Sequence, residues 1–87
     1  MITTSRYASG ETRKAARRIA GKLGIPYISR GKKTIESIVE QARKKGESEV
    51  LVVEEEKGIP SAVSAIEVNE LGGWKWTWKK KVSEYEG

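Results

Sequence analysis

The chain has 87 residues, which is enough for one α/β domain and too few for two. It contains no Cys, His or Asp, so we predict no disulfide, no catalytic residue, no metal site and no cofactor. Seventeen Lys and Arg residues against 12 acidic residues leave a net charge of +5, which suits a partner with dense negative charge such as nucleic acid.

The N-terminal third of the chain predicts a strand followed by a basic helix. Ile2 to Ser5 is short and rich in β-branched residues, which is typical of a strand that ends in a loop. Ser9 is a suitable N-cap for the helix, and Gly24 and Pro26 end its pattern. Residues 1–33 hold nine basic residues and one acidic residue, so they are more positive than the whole chain.

The middle of the chain predicts a second strand, a second helix and a buried strand. Pro26 to Ile28 indicates a brief strand, followed by a basic loop over residues 29–33. Thr34 is a suitable N-cap for a helix that ends at Gly46. Val50 to Val53 is an unbroken apolar run, typical of a strand buried on both faces, and we place it at the centre of the sheet.

The remaining residues predict two strands and a tail. Strands over residues 62–68 and 74–79 should form an antiparallel hairpin, preceded by a charged run and a turn over residues 54–60. The order predicts an α/β fold with a βαβαβββ-like mixed sheet, and a reversal of strand order at the first strand would place one helix on each face. Residues 1–79 form the predicted domain and residues 80–87 a flexible tail.

Two predicted βα loops are basic and should lie together. The carboxyl ends of neighbouring parallel strands share one edge of a sheet, and free N–H groups at helix N-termini attract phosphate. We name the resulting surface the basic rim, and it consists of Arg6, Arg13, Arg30, Lys32 and Lys33. The RNA-binding residues predicted from these loops are Ser5, Arg6, Thr12, Arg13, Arg17, Arg30, Gly31, Lys32 and Lys33. The alternative is an ordinary solvated surface.

Three tryptophans alternate with polar residues near the end of the chain. Trp74, Trp76 and Trp78 at period two predict a strand with all three indoles on one face. The indoles could form core beneath a helix, or they could stack on unpaired bases. Both alternatives stay open at this point.

Separated motifs occur along the chain in a fixed order. They are Ile2-Thr3-Thr4-Ser5-Arg6, Thr12-Arg13, Tyr27-Ile28-Ser29-Arg30-Gly31-Lys32, Val50 to Glu54 and Gly58-Ile59-Pro60-Ser61. Together they resemble the Brix-domain family, especially its archaeal members, over residues 2–68. The sequence departs from the family pattern at Ile59, where Asn is usual, and at Tyr7-Ala8-Ser9, where Lys-Pro-Ser is usual.

The resemblance implies both a fold and a function. The fold is one half of a Brix domain, similar to the anticodon-binding domain of class IIa aminoacyl-tRNA synthetases. The function is non-catalytic binding of ribosomal RNA or its precursor during ribosome biogenesis and rRNA processing. The basic positions of the family motifs fall on Arg6, Arg13, Arg30 and Lys32.

The partners expected from the sequence are RNA and a second copy of the chain. Since the resemblance covers one half of a Brix domain, we expect two copies to pair as a homodimer through the tryptophan strand. The main alternative function is a protein-interaction module without direct RNA binding. No apolar run approaches the roughly 20 residues that span a bilayer, so we expect a cytoplasmic protein without a membrane partner.

Overall fold

The computed structural model describes residues 1–86, and of Glu86 only the backbone. The elements in chain order are β1 (Ile2–Thr4), α1 (Gly10–Leu23), α2 (Ile35–Lys44), β2 (Glu49–Glu56), β3 (Ile59–Val68), β4 (Trp74–Lys81) and α3 (Ser83–Glu86). The strands form one mixed sheet in the order β1-β2-β3-β4. The predicted α/β class, with helices packed on a mixed sheet, is therefore confirmed.

The sheet is parallel at one edge and antiparallel elsewhere. β1 pairs in parallel with β2, β2 pairs antiparallel with β3, and β3 pairs antiparallel with β4. Val50 to Val53 are all buried. The predicted apolar strand and the predicted terminal hairpin are both confirmed.

The second predicted strand, over residues 26–28, is wrong. It is reduced to a single parallel bridge between Tyr27 and Ile2. The Ile2 amide donates to the Pro26 carbonyl, and the Ile2 carbonyl accepts from the Ile28 amide. The Ile28 carbonyl, however, accepts a hydrogen bond from the Thr3 hydroxyl at 2.7 Å. A side chain therefore ends the ladder after one residue pair.

One helix covers each face of the sheet, as the predicted reversal of strand order requires. Ile2 lies between Tyr27 on one side and Leu51 on the other, so the chain runs outward and then back across β1. One apolar cluster joins α1 to Leu51 and Val53, and the other joins α2 to Val50 and Val52. Alternate residues of β2 thus contribute to opposite cores.

Both helices begin at the predicted N-caps. The Ser9 hydroxyl accepts a hydrogen bond from the Thr12 amide at 3.3 Å, and the Thr34 hydroxyl accepts one from the Ser37 amide at 3.1 Å. Helix α1 ends at Gly24, whose φ of 67° lies in the left-handed region. None of the helices in residues 1–86 has the length and apolar content needed to cross a bilayer.

A two-residue turn replaces the loop predicted over residues 54–60. β2 continues to Glu56 and β3 begins at Ile59, and Glu56 pairs with Ile59. Lys57 and Gly58 form the turn with φ values of 53° and 78°. Two successive positive φ values match the right-handed twist of a hairpin, so the charged run extends the strand.

The three tryptophans do not share one face. The register of β3 and β4 shifts between Ala65 and Ile66, which pair with Trp78 and Trp76. Trp74 accordingly packs on the cluster beneath α2, whereas Trp78 packs on the cluster beneath α1. Trp76 is 50% exposed and contacts Trp74 edge to face, with 6.1 Å between ring centroids. The predicted single face is wrong because a β-bulge breaks the period of two.

Regular structure continues into the segment predicted as a flexible tail. Lys80 and Lys81 belong to β4, and α3 follows. Val82 and Tyr85 pack against the cluster beneath α1, and the Lys22 ammonium donates to the Tyr85 carbonyl at 2.8 Å. These contacts account for the difference over residues 80–86, and Gly87 lies outside the described residues.

Candidate nucleic-acid interface

The two basic loops meet at the carboxyl end of β1. Arg6 donates from Nε to the Lys32 carbonyl at 3.1 Å, and the Tyr7 amide donates to the Gly31 carbonyl at 3.4 Å. The loops continue into α1 and α2, which cover opposite faces of the sheet. This is the crevice at a topological switch point, where open α/β sheets commonly bind ligands.

Arg30 lies inside this edge and not on its surface. Its side chain is only 6% exposed, and its Nη1 donates to the Thr4 carbonyl at 2.9 Å. Its Nε also donates to the Lys33 carbonyl. Burial and the nearby Arg6 charge lower the pKa of the Arg30 guanidinium, and Glu36 partly opposes them. The predicted role of Arg30 in contacting RNA does not fit this burial, and the side chain instead joins its own loop to β1.

Two further predicted contact residues are also turned inward. Thr12 is fully buried, with its hydroxyl 3.1 Å from that of Ser9, so it supports the start of α1. The Ser5 hydroxyl is buried and has no hydrogen-bond partner in residues 1–86. Gly31 has a φ of 52° and supplies the carbonyl that holds Tyr7. Gly31 therefore shapes the loop through its backbone.

The remaining predicted contact residues are exposed. Arg6, Arg13, Arg17, Lys32 and Lys33 all present their side chains at the surface, Arg6 only partly covered by its neighbours. Arg17 lies over the Tyr27 ring, 5.4 Å from its centroid, and the Lys33 ammonium donates to the Ser29 carbonyl at 3.1 Å. In the described part of the chain, no carboxylate forms an ion pair with these five side chains. Their positive charge is available to an anionic partner.

A carboxylate already occupies the N-terminal end of α1. Glu55 accepts a hydrogen bond from the Ser9 amide at 2.8 Å, and the Ser9 hydroxyl donates to the Gly58 carbonyl at 2.7 Å. The negative charge of the Glu55 carboxylate at this helix end would repel a phosphate. The prediction that the N-terminus of α1 attracts phosphate does not fit this arrangement, and side-chain cations carry the positive charge of this edge.

Two surface residues of this edge do not appear among the residues predicted from the sequence. The contact between Ser9 and Gly58 brings the turn between β2 and β3, and with it Lys57, to the same end of the sheet. The sequence pattern that could have predicted this turn is the Lys57-Gly58 pair between two strands, which is typical of a two-residue hairpin. Tyr7 is the other residue, and its side chain is 69% exposed beside Arg6. Nothing in the residue pattern points to Tyr7.

A second concave surface lies on the sheet beside β4. This open groove of about 440 Å³ is lined by Glu54, Ser64, Trp76, Thr77, Trp78 and Lys79. The Glu54 carboxylate accepts a hydrogen bond from the Ser64 hydroxyl and lies 3.3 Å from the Lys79 ammonium. The Glu54 and Lys79 charges of the groove are therefore paired with each other. Residues 1–86 contain no cluster of acidic side chains that could hold a metal ion.

Two solved structures to which this chain is similar illustrate the comparison with known proteins. An archaeal Imp4-like protein named Mil is 34% identical over 84% of this chain, with a TM-score of 0.70. A probable ribosomal biogenesis protein from Aeropyrum pernix K1 is 23% identical over 90% of the chain, with a TM-score of 0.82. The chain spans 45% and 44% of their lengths. No protein-family model and no curated protein matches the sequence.

Proposed function

Because this chain is a Brix-like protein, we propose that it works in ribosome biogenesis as a non-catalytic RNA-binding protein. The role in ribosome biogenesis is proposed because a structural neighbour is named as a probable ribosomal biogenesis protein. RNA binding is proposed because the chain is basic and its two basic loops meet at one edge of the sheet. Ribosomal RNA or its precursor in the cytoplasm is the proposed partner.

The hydrogen bond between Arg6 and the Lys32 carbonyl carries the proposal. It holds two loops together so that Arg6, Lys32 and Lys33 lie at one edge, and none of these three side chains forms an ion pair with a carboxylate of the described residues. Side-chain cations gathered at one edge suit the phosphates of an RNA strand, because most hydrogen bonds between proteins and nucleic acids go to phosphate and sugar. Arg13 and Arg17 extend the same charge along α1, one helical turn apart.

Phosphate binding of this kind predicts how RNA affinity changes with salt concentration. Each phosphate neutralised by a cation releases bound counterions, so affinity falls as salt rises. If Arg6, Lys32 and Lys33 each neutralise one phosphate, the logarithm of affinity should fall against the logarithm of salt concentration with a slope of about −2 to −3. A slope near zero would contradict phosphate binding.

The test is a fluorescence anisotropy titration of the protein with a labelled fragment of ribosomal RNA. Salt is varied between about 50 and about 200 mM. We expect binding that weakens across this range with the stated slope. Absence of binding at the lowest salt concentration would overturn the proposed function.

A second candidate function, self-association through β4, is supported by a different observation. β4 is the outer strand of the described sheet, and Trp76 on it is half exposed. Two copies paired through this edge would cover the indole and form the homodimer expected from the sequence. Sedimentation at tens of micromolar protein tests it, since a mass that stays at 9.7 kDa would exclude the homodimer.

A further inference from the structure

Tyr7 has an unusual backbone conformation for an aromatic residue. Its φ of 57° lies in the left-handed region, which residues with a bulky side chain rarely adopt. Its amide donates to the Gly31 carbonyl at 3.4 Å, which ties the conformation to the second basic loop. Strained backbone that the surrounding structure maintains is a feature of functional sites.

The consequence of this conformation is a ring directed into solvent. Tyr7 is 69% exposed although its own backbone contacts the second basic loop. The Arg6 guanidinium lies 5.6 Å from the ring centroid and is itself fixed by its bond to the Lys32 carbonyl. One side of the ring thus meets a positioned cation, and most of its surface is open.

We propose that Tyr7 is a stacking platform for one unpaired RNA base, while the neighbouring cations of the basic rim bind the adjoining phosphates. This inference rests on the proposed RNA-binding function and names the class of RNA, namely RNA with an unpaired nucleotide in a loop, bulge or end. Proteins that bind single-stranded nucleic acid combine exposed aromatic rings with cations in this way. Bases inside an A-form helix are stacked on one another and cannot reach such a ring.

Trp76 is the competing aromatic residue, and its position makes it less suitable. It lies on β4, at the opposite edge of the sheet from β1 and the basic rim. Its ring is engaged edge to face with Trp74. Trp76→Ala therefore serves as the control that removes an exposed ring elsewhere on the molecule.

The experiment compares two RNAs of equal length and charge, a hairpin with an unpaired loop and a fully paired duplex. Tyr7→Ala should weaken binding to the hairpin by about 5- to 150-fold, the range expected for one stacked base, and should change binding to the duplex little. Tyr7→Phe, which keeps the ring, should bind the hairpin as the wild type does. Tyr7→Gly removes the ring and also suits the positive φ, so it should fold well and still lose the hairpin preference.

A fluorescent base supplies a direct readout of stacking. With 2-aminopurine in the hairpin loop, the wild type and Trp76→Ala should change its emission on binding, and Tyr7→Ala should not. Wild-type-like hairpin affinity in both Tyr7→Ala and Tyr7→Gly would overturn the stacking role and leave the proposed function standing. Failure of the wild type to bind either RNA would instead overturn the proposed function.

Discussion

The guanidinium of Arg30 reaches back to β1 and donates from Nη1 to the carbonyl oxygen of Thr4 over 2.9 Å. Twenty-six residues separate the two in sequence. The bond joins the second basic loop to the end of the strand that carries the first. The other residues of the basic rim are therefore held in place by Arg30, which is buried and does not itself face a ligand.

Replacing Arg30 with Met should destabilise the protein by about 2–3 kcal/mol. The change removes charge-assisted hydrogen bonds and leaves the Thr4 and Lys33 carbonyls without the donor they have now. Urea denaturation measures the loss. Arg13→Met, at an exposed position of α1, is the control and should stay within about 0.5 kcal/mol of wild type. Equal stability of the two variants would contradict the structural role of Arg30.

The turn between β2 and β3 offers a stabilising substitution. Lys57 has a φ of 53° and is followed by Gly58, and Asn is strongly favoured before Gly in such turns. Lys57→Asn should raise the free energy of unfolding by about 0.5–1 kcal/mol because Asn tolerates the left-handed region. Thermal denaturation measures the gain, with Lys45→Asn, at a position of negative φ, as the comparison. A fall in stability for Lys57→Asn would show that the turn has another geometry.

The bulge in β4 predicts unequal effects of removing two neighbouring indoles. Trp78 packs on the cluster beneath α1, so Trp78→Ala should cost about 2 kcal/mol, less than the larger loss at a fully buried site. Trp76 is half exposed, and Trp76→Ala should cost less than about 1 kcal/mol. Equal losses by urea denaturation would indicate that the two rings share one environment.

Val52 tests the central position of β2. It is 3% exposed and pairs with Thr3 on one side and Ser64 on the other. Val52→Asp would bury an unpaired carboxylate at a cost of about 3–5 kcal/mol, comparable with the whole stability of many small domains. Thr77→Asp puts the same group at an exposed position and should melt near the wild type. A cooperative transition of Val52→Asp close to wild type would contradict the topology.

The elements that the sequence predicts correctly are those whose signals are local. The caps at Ser9 and Thr34 and the apolar run of Val50 to Val53 each carry their own pattern, and all are present in the structure. The strand at residues 26–28 fails because the Thr3 hydroxyl, from a distant segment, takes the Ile28 carbonyl. Such competition between a side chain and a ladder has no local signature.

The candidate site likewise has features that the sequence predicts and features that it does not. That two basic loops share one edge follows from the strand order and can be predicted. Which of their side chains face solvent cannot be predicted, because Arg6 and Arg30 are both arginines in basic loops and differ only in burial. The conformation of Tyr7 likewise depends on the Gly31 carbonyl, and the bulge that separates Trp76 from Trp78 depends on β3.

The most direct measurement compares RNA affinity in two variants that each lack two adjacent lysine charges. Lys32→Gln with Lys33→Gln removes charge from the basic rim, and Lys44→Gln with Lys45→Gln removes the same charge at the far end of α2. We predict that the rim variant binds a ribosomal RNA fragment more weakly than the other, with a salt slope smaller by about one for each phosphate that it no longer neutralises. Equal affinities and equal slopes for the two variants would contradict the proposal that the basic rim binds RNA.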